Sequence, residues 1–338
     1  MKKPTSFWQI EPNLIRFKAF FFLYIGSIHS VSQFMSLYFK QLGLSPQQIG
    51  LISGMRPILG FVSAPLIGSL ADRYRIRRLC LMTTVIGFAT VITSIGFITP
   101  ASRIEGNCPT ELSSINVSSL PAEQQKEYGK YFTNRGWMFA EGELNRVFYT
   151  LVLLSLFAEI FMTPTGTMMD AGVLEELGSE NMHKYGQQRA WGAIGPAIMA
   201  IFSGSAVNRT RRNTLICGLP FVLINYHPAF VIFACGMVFC FISSTFFQFN
   251  KQKEAYKVEL EKPNPLKVFK MFLTIHYGSW ILCIYLMGIC NGAISGFLFW
   301  HLENLALDKP DMQYINLIQS AKMKKKLKKE KLTNIPPF

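Results

Sequence analysis

The sequence predicts an all-α polytopic membrane protein, and three observations carry that reading. Of 338 residues, 50% are hydrophobic and 16% charged, where an average soluble domain carries about 25% charged residues. The apolar residues fall in blocks of about 20, the length a helix needs to cross about 30 Å of hydrocarbon. The basic residues behind the net charge of +14 gather in the joints between blocks. A nucleic-acid partner would require a continuous basic face, so the charge reads as a topology determinant and membrane lipid as the surrounding medium. In lipid every backbone N–H and C=O must be paired within the segment, so each block is a helix.

Spans are expected near 17–40, 47–70, 79–100, 147–170, 188–207, 228–249 and 278–300. Residues 1–16 form a basic N-terminal segment. The first apolar block is too long for a signal-peptide core and has no small-residue cleavage site, so it remains as the first span. The next joint contains Gly43, Ser45 and Pro46. Gly43 can take a left-handed helix-ending conformation, Ser45 can cap the second helix, and Pro46 suits its first turn. Six spans make one bundle over 17–249, interrupted by a long loop at 101–146. A Lys-rich polar linker at 250–277, with Pro263 and Pro265, leads to the seventh span and its exit at 278–308. Within that span Gly288, Gly292 and Gly296 recur every four residues and predict close helix packing. Residues 309–338 are Lys-rich and contain no spanning block.

Orientation follows from the excess of Lys and Arg in short joints. With a cytosolic N-terminus, that side receives Lys2, Lys3, Arg16, Lys18, Arg73, Arg75, Arg77 and Arg78, and later Lys184, Arg189 and the 251–270 lysines. The sequons at Asn116 and Asn208 then both lie outside as glycosylation candidates. Cys108 and Cys217 also lie outside, where a disulfide can persist; two unpaired thiols are the alternative. The other five cysteines sit in or at the edge of apolar blocks, as small hydrophobes do.

The stretch "GSLADRYRIRRL" after the second span resembles the loop motif of the major facilitator superfamily, through Gly68, Asp72, Arg73, Arg77 and Arg78. The resemblance implies that Gly68 lets two helices approach closely, that Asp72 pairs with the arginines, and that the joint latches two bundles together. Arg75 stands where glycine is usual, and Ile76 replaces the first basic residue. A second block, "MMDAGVLEELGSENMHKYGQQRAWGAIGP", resembles the fourth-to-fifth-span joint of the major facilitator superfamily domain-containing protein 6 family. There an Asp closes one helix and a Tyr-Gly…Arg-x-Trp-Gly run opens the next, which maps onto Asp170, Tyr185, Gly186, Arg189, Trp191 and Gly192. Arg189 is positioned to pair with Asp170, or else to anchor the interface. "FLFWHLENL" after the seventh span resembles the same family. The implied fold is a six-helix N-terminal bundle plus the first helix of a C-terminal bundle. The implied activity is secondary transport of a small solute. A chain with only part of the second bundle reads as truncated, and if so inactive alone; the alternative is a seventh helix that does not span, with the tail on the cytosolic face.

Charges at bilayer depth normally face a bundle interior or a water-filled cavity. His29, Gln33, Arg56 and Glu159 meet that description. Arg56 and Glu159 read as a substrate or proton path, with a static ion pair between the second and fourth helices as the alternative. His29 reads as a titrating group or as a neutral hydrogen-bonded one. No nucleotide-binding, zinc-hydrolase or nucleophile-elbow motif occurs, so the expectation is a non-enzyme without cofactor or metal, driven by an ion gradient, in the plasma membrane. The competing class is a receptor that offers the 101–146 loop to an extracellular protein.

Overall fold

A computed structural model describes residues 14–101, 139–178, 181–216, 219–247 and 274–305. Eight α-helices occur among them. These are α1 (Ile15–Gln41), α2 (Pro46–Arg73), α3 (Arg77–Gly96), α4 (Glu141–Leu177), the short α5 (Tyr185–Arg189), α6 (Trp191–Asn208), α7 (His227–Ser244) and α8 (Ile275–Leu305). A 3-10 turn, Met182–Lys184, leads into α5. Seven helical stretches are long and apolar enough to cross a membrane, with α5 and α6 sharing the fifth. The protein is an all-α polytopic membrane protein.

The chain reverses between α1 and α2 through local chemistry. Gly43 adopts φ +99°, a conformation that L side chains resist. The Ser45 hydroxyl accepts from the Gln48 N–H at 3.3 Å, and the Gln48 side-chain oxygen accepts from the Ser45 N–H at 2.9 Å. This reciprocal capping box satisfies two otherwise unpaired helix-start donors.

Two boundaries differ from the sequence expectation. The fourth helix begins at Glu141, within the stretch read as loop, and runs to Leu177, seven residues past Asp170. Asp170 does not close it, because nothing in "AGVLEEL" interrupts the ladder. The stop comes at Gly178, with φ +63°. Between α6 and α7, strands β1 (Arg212–Ile216) and β2 (Leu219–Leu223) pair antiparallel, Arg212 opposite Leu223. At five residues each they are too short to span.

α1 is the central helix. It packs most extensively on α6 and α7 and is touched by α8; α4 joins α2 to α3, and α3 reaches α7. Phe17, Phe20, Phe21, Phe88, Phe233 and Phe247 are fully buried. The Phe247 ring meets those of Phe17 and Phe20 at 4.6 and 5.1 Å between centroids. Aromatic rings fill a core in which hydrophobic exclusion gives little drive, because lipid tails are as apolar as the side chains. Close helix approach supplies the rest. A Cβ at Gly195 would stand 2.3 Å from the Phe22 carbonyl oxygen, and one at Gly192 would stand 2.5 Å from Ile25 Cδ1.

The seventh span departs from its expected packing. A Cβ at Gly288, Gly292 or Gly296 would meet nothing within 4 Å. The small-residue stripe therefore does not meet the six-helix bundle, since α8 touches it chiefly along α1.

Candidate functional site

Arg56 on α2 and Glu159 on α4 meet inside the span region. The Arg56 Nη2 and Nε atoms lie 3.0 and 3.2 Å from Glu159 Oε2. The second carboxylate oxygen, Oε1, accepts from the Thr163 hydroxyl at 2.9 Å. Arg56 Nη2 also approaches Met162 Sδ at 3.8 Å. Gly60 makes this approach possible, because a Cβ there would stand 2.5 Å from Thr163 Oγ1 and 3.3 Å from Glu159 Oε1. The Arg56 side chain is 31% exposed and that of Glu159 12%. The arginine thus lies toward the open face of α2, where Ile58 and Phe61 are also exposed, while the carboxylate is held inside. A buried carboxylate paired at one oxygen and hydrogen-bonded at the other keeps its burial cost low.

The other two midspan candidates do not join this pair. Gln33 is buried on α1 and donates from Nε2 to Ser203 Oγ on α6 at 3.0 Å. It acts as a polar tie between packed helices. His29 is exposed, with Nδ1 2.9 Å from the Ile25 carbonyl oxygen of its own helix.

The entry face, where the chain begins α1, carries a second charged network. Arg77 pairs with Asp72 across the α2–α3 turn, and its Nη1 reaches Glu175 Oε2 on α4 at 2.9 Å. Arg16 pairs with Glu176 at 2.8 Å and donates to the Phe246 carbonyl at 3.0 Å. Arg78 donates to the neighbouring carbonyl, that of Thr245. The loop motif thus binds α2, α3, α4 and the end of α7 into one body. Arg73 lies exposed in the last turn of α2, where a cation suits the helix dipole. Arg75 adopts φ +57°, the left-handed region that glycine occupies without strain. Gly68 does not bring two helices together within the described residues: a Cβ there would meet nothing within 4 Å. The reason is angular. Gly68 lies eight residues beyond Gly60, which places it about 80° round the helix from the α4 contact.

At the fourth-to-fifth-span joint, Arg189 Nη1 lies 2.6 Å from Asp170 Oδ2 and 2.7 Å from the Tyr185 hydroxyl. Trp191 is half-buried at the start of α6, and Gly186 has open space around it. Gly192 is the packing glycine of this block, set against Ile25.

At the opposite end, a cavity of about 770 Å³ lies between the ends of α1 and α3 and the strand pair. Tyr38, Gln41, Arg209, Arg211, Arg212 and His227 are among its lining residues. Asn208 closes α6, and the Thr210 hydroxyl of its sequon bonds to the carbonyls of Val207 and Asn225. Asn116, Cys108 and Cys217 lie outside the described residues, as do most of the 101–146 loop and the 250–277 linker. Cys80, Cys235, Cys240, Cys283 and Cys290 are free thiols. No group of three or more metal-ligating side chains occurs among the described residues.

Sequence reasoning missed the acidic partners. Glu175 and Glu176 lie about one and a half turns past the expected helix end, and Thr163 and Ser203 complete the interior contacts. The available signal was the pair of acids beyond an apolar block, at the same predicted membrane face as Arg16 and Arg77.

Comparison with known proteins gives a consistent identity. The chain matches the MFS_1 like family over residues 14–319, which passes the boundary expected at 308. It is 28% identical over 99 residues to the major facilitator superfamily domain-containing protein 6-like protein A of Xenopus laevis. That stretch covers 29% of this chain and 16% of the relative. No solved structure matches significantly. A family of membrane transporters does not favour the receptor reading. With seven helices apolar and long enough to cross a membrane among the described residues, and a matched region that spans nearly the whole chain, this protein belongs to the MFS_1-like family.

Proposed function

We propose that this bundle forms part of a secondary transporter that moves a small solute by alternating access, with Arg56 and Glu159 in its polar path. The observation that supports this most is the pair itself. It sets a buried carboxylate against a partly exposed guanidinium, at a depth where charge is costly and normally functional. The arginine, the more exposed of the two, faces the open side of α2, where a solute can reach it. An anionic group on the solute can take Arg56 from Glu159, and a proton or ion gradient supplies the energy in this reading. His29, also exposed, is a further candidate for that path. In this reading the N-terminus is cytosolic, the entry face is the cytosolic face, and the plasma membrane is the host. No nucleotide, metal or cofactor is part of the proposed mechanism.

The test is uptake of a radiolabelled panel of amino acids, nucleosides and organic anions by cells expressing the protein. Arg56→Ala and Glu159→Ala should each abolish uptake while surface expression persists. Uptake at the wild-type rate in either variant would remove this pair from the path.

A further inference from the structure

A groove of about 670 Å³ lies between the entry-face ends of α1, α3 and α7, away from the Arg56–Glu159 pair. Ala19, Leu23, Phe239 and Ile242 form its apolar wall, and Arg16 and Arg78 are the charged residues at its mouth. No carboxylate lines it. Arg16 and Arg78 donate to the consecutive carbonyls of Phe246 and Thr245, so both guanidiniums are fixed at one end of α7. Arg16 spends part of its charge on Glu176, and its Nε is buried without a partner. Arg78 pairs with no carboxylate among the described residues, and its guanidinium carries five N–H donors of which Thr245 takes one.

The two halves of the groove call for two different chemistries. The guanidiniums offer donors in a planar fork, which match the oxygens of a phosphate or a carboxylate. The wall runs from Arg16 to Leu23, seven residues or about 10 Å along α1. It is flanked by the exposed side chains of Phe239, Ile242 and Phe246. A soluble phosphate would use the mouth and leave the wall uncovered. A molecule with a phosphate at one end and a hydrocarbon chain at the other covers both. At the end of a bundle of spanning helices, such a molecule is a membrane phospholipid, and net negative headgroups are the ones that basic pockets retain.

We propose that this groove holds one anionic phospholipid, its phosphate between Arg16 and Arg78 and an acyl chain along Ala19, Leu23, Phe239 and Ile242. The assignment rests on the transport reading only for which leaflet supplies the lipid. The bound lipid joins α1, α3 and α7 where the loop motif already joins α2, α3 and α4.

The experiment is native mass spectrometry of the purified chain in detergent, titrated with phosphatidylglycerol or phosphatidylcholine of identical acyl chains, and with glycerol phosphate. The wild type should bind phosphatidylglycerol about tenfold more tightly than phosphatidylcholine, as two basic side chains at a surface allow. Arg78→Gln should bring the two lipids to equal affinity, whereas Arg75→Gln, outside the groove, should keep the preference. A preference that survives Arg78→Gln overturns the site, and so does glycerol phosphate that displaces the lipid at equal concentration. If Arg78→Gln does not fold, Ile242→Trp carries the test. Filling the groove at that exposed position should weaken phosphatidylglycerol binding, and unchanged binding overturns the proposal. Binding is read without transport, so loss of uptake and loss of this site are separate results.

Discussion

Gly195→Ala tests whether close approach of α1 and α6 organises the bundle. A Cβ at this position would stand 2.3 Å from the carbonyl oxygen of Phe22 and 3.1 Å from its carbonyl carbon, where ordinary contact begins at 3.4 Å. The obstacle is main chain inside α1, so no rotamer change relieves it, and the two helices must part by about 1 Å. Their contact is the most extensive in the molecule, and inserting a methyl into a packed interface costs about 1–3 kcal/mol. The rigid obstacle puts the cost at the upper end of that range. Alanine returns about 1 kcal/mol of helix propensity relative to glycine. The net expected loss is about 2 kcal/mol. Gly54→Ala is the matched control, because a Cβ there meets nothing within 4 Å and only the propensity gain remains. Thermal unfolding of the purified protein in detergent, followed by tryptophan fluorescence, should give a lower midpoint for Gly195→Ala. For Gly54→Ala the midpoint should be equal or higher. Equal midpoints for Gly195→Ala and wild type would refute the role given to this contact.

Two further outcomes follow from the same geometry. Arg75→Gly should raise the unfolding midpoint: a non-glycine residue at φ +57° costs about 1–2 kcal/mol, and glycine loses only about 0.5–1 kcal/mol of chain entropy. A lower midpoint would show that the Arg75 side chain stabilises the turn by more than its strain. Gln33→Leu should lower the unfolding free energy by about 0.6 kcal/mol, the mean for a hydrogen bond between membrane helices, and so lower the midpoint slightly. It should leave uptake intact, in contrast to Arg56→Ala, and lost uptake would place Gln33 in the polar path instead.

The extent to which the sequence could be read differs from element to element. Apart from the fourth, the spans lie within about five residues of their expected positions, because spanning lipid is a requirement on about 20 consecutive residues and is therefore local. Ser45 and Pro46 are local for the same reason. The end of α4 was not legible. Asp170 looks like a polar stop in a linear reading, yet with Arg189 at 2.6 Å its charge is met and the helix continues. The glycines show the limit most clearly. Gly68, Gly192, Gly195 and Gly288 are alike in sequence, but only Gly192 and Gly195 face a neighbour closely enough to exclude a side chain.

In the candidate site, the charges at bilayer depth were visible from the sequence because burying any of them is costly whatever surrounds it. The Arg56–Glu159 ion pair was one of two readings the sequence allowed; the partners of Gln33 and His29 were not visible. Arg56 and Glu159 are 103 residues apart, and their contact depends on the α2–α4 crossing at Gly60. Gln33 went instead to Ser203, and His29 remained on the exposed side of α1.

The sequence by itself therefore determined that this is a polytopic bundle, roughly where its spans lie, and which residues are candidates for carrying charge into the membrane. Each of these is a statement about transfer between water and lipid, summed along one segment. Tertiary structure alone decided that the Arg56–Glu159 pair expected from the sequence is completed by Thr163 at Gly60, that Arg77 reaches Glu175, and that Arg16 and Arg78 share one end of α7. Those pairings depend on the relative rotation of helices, and rotation is set by which small side chains let two backbones touch.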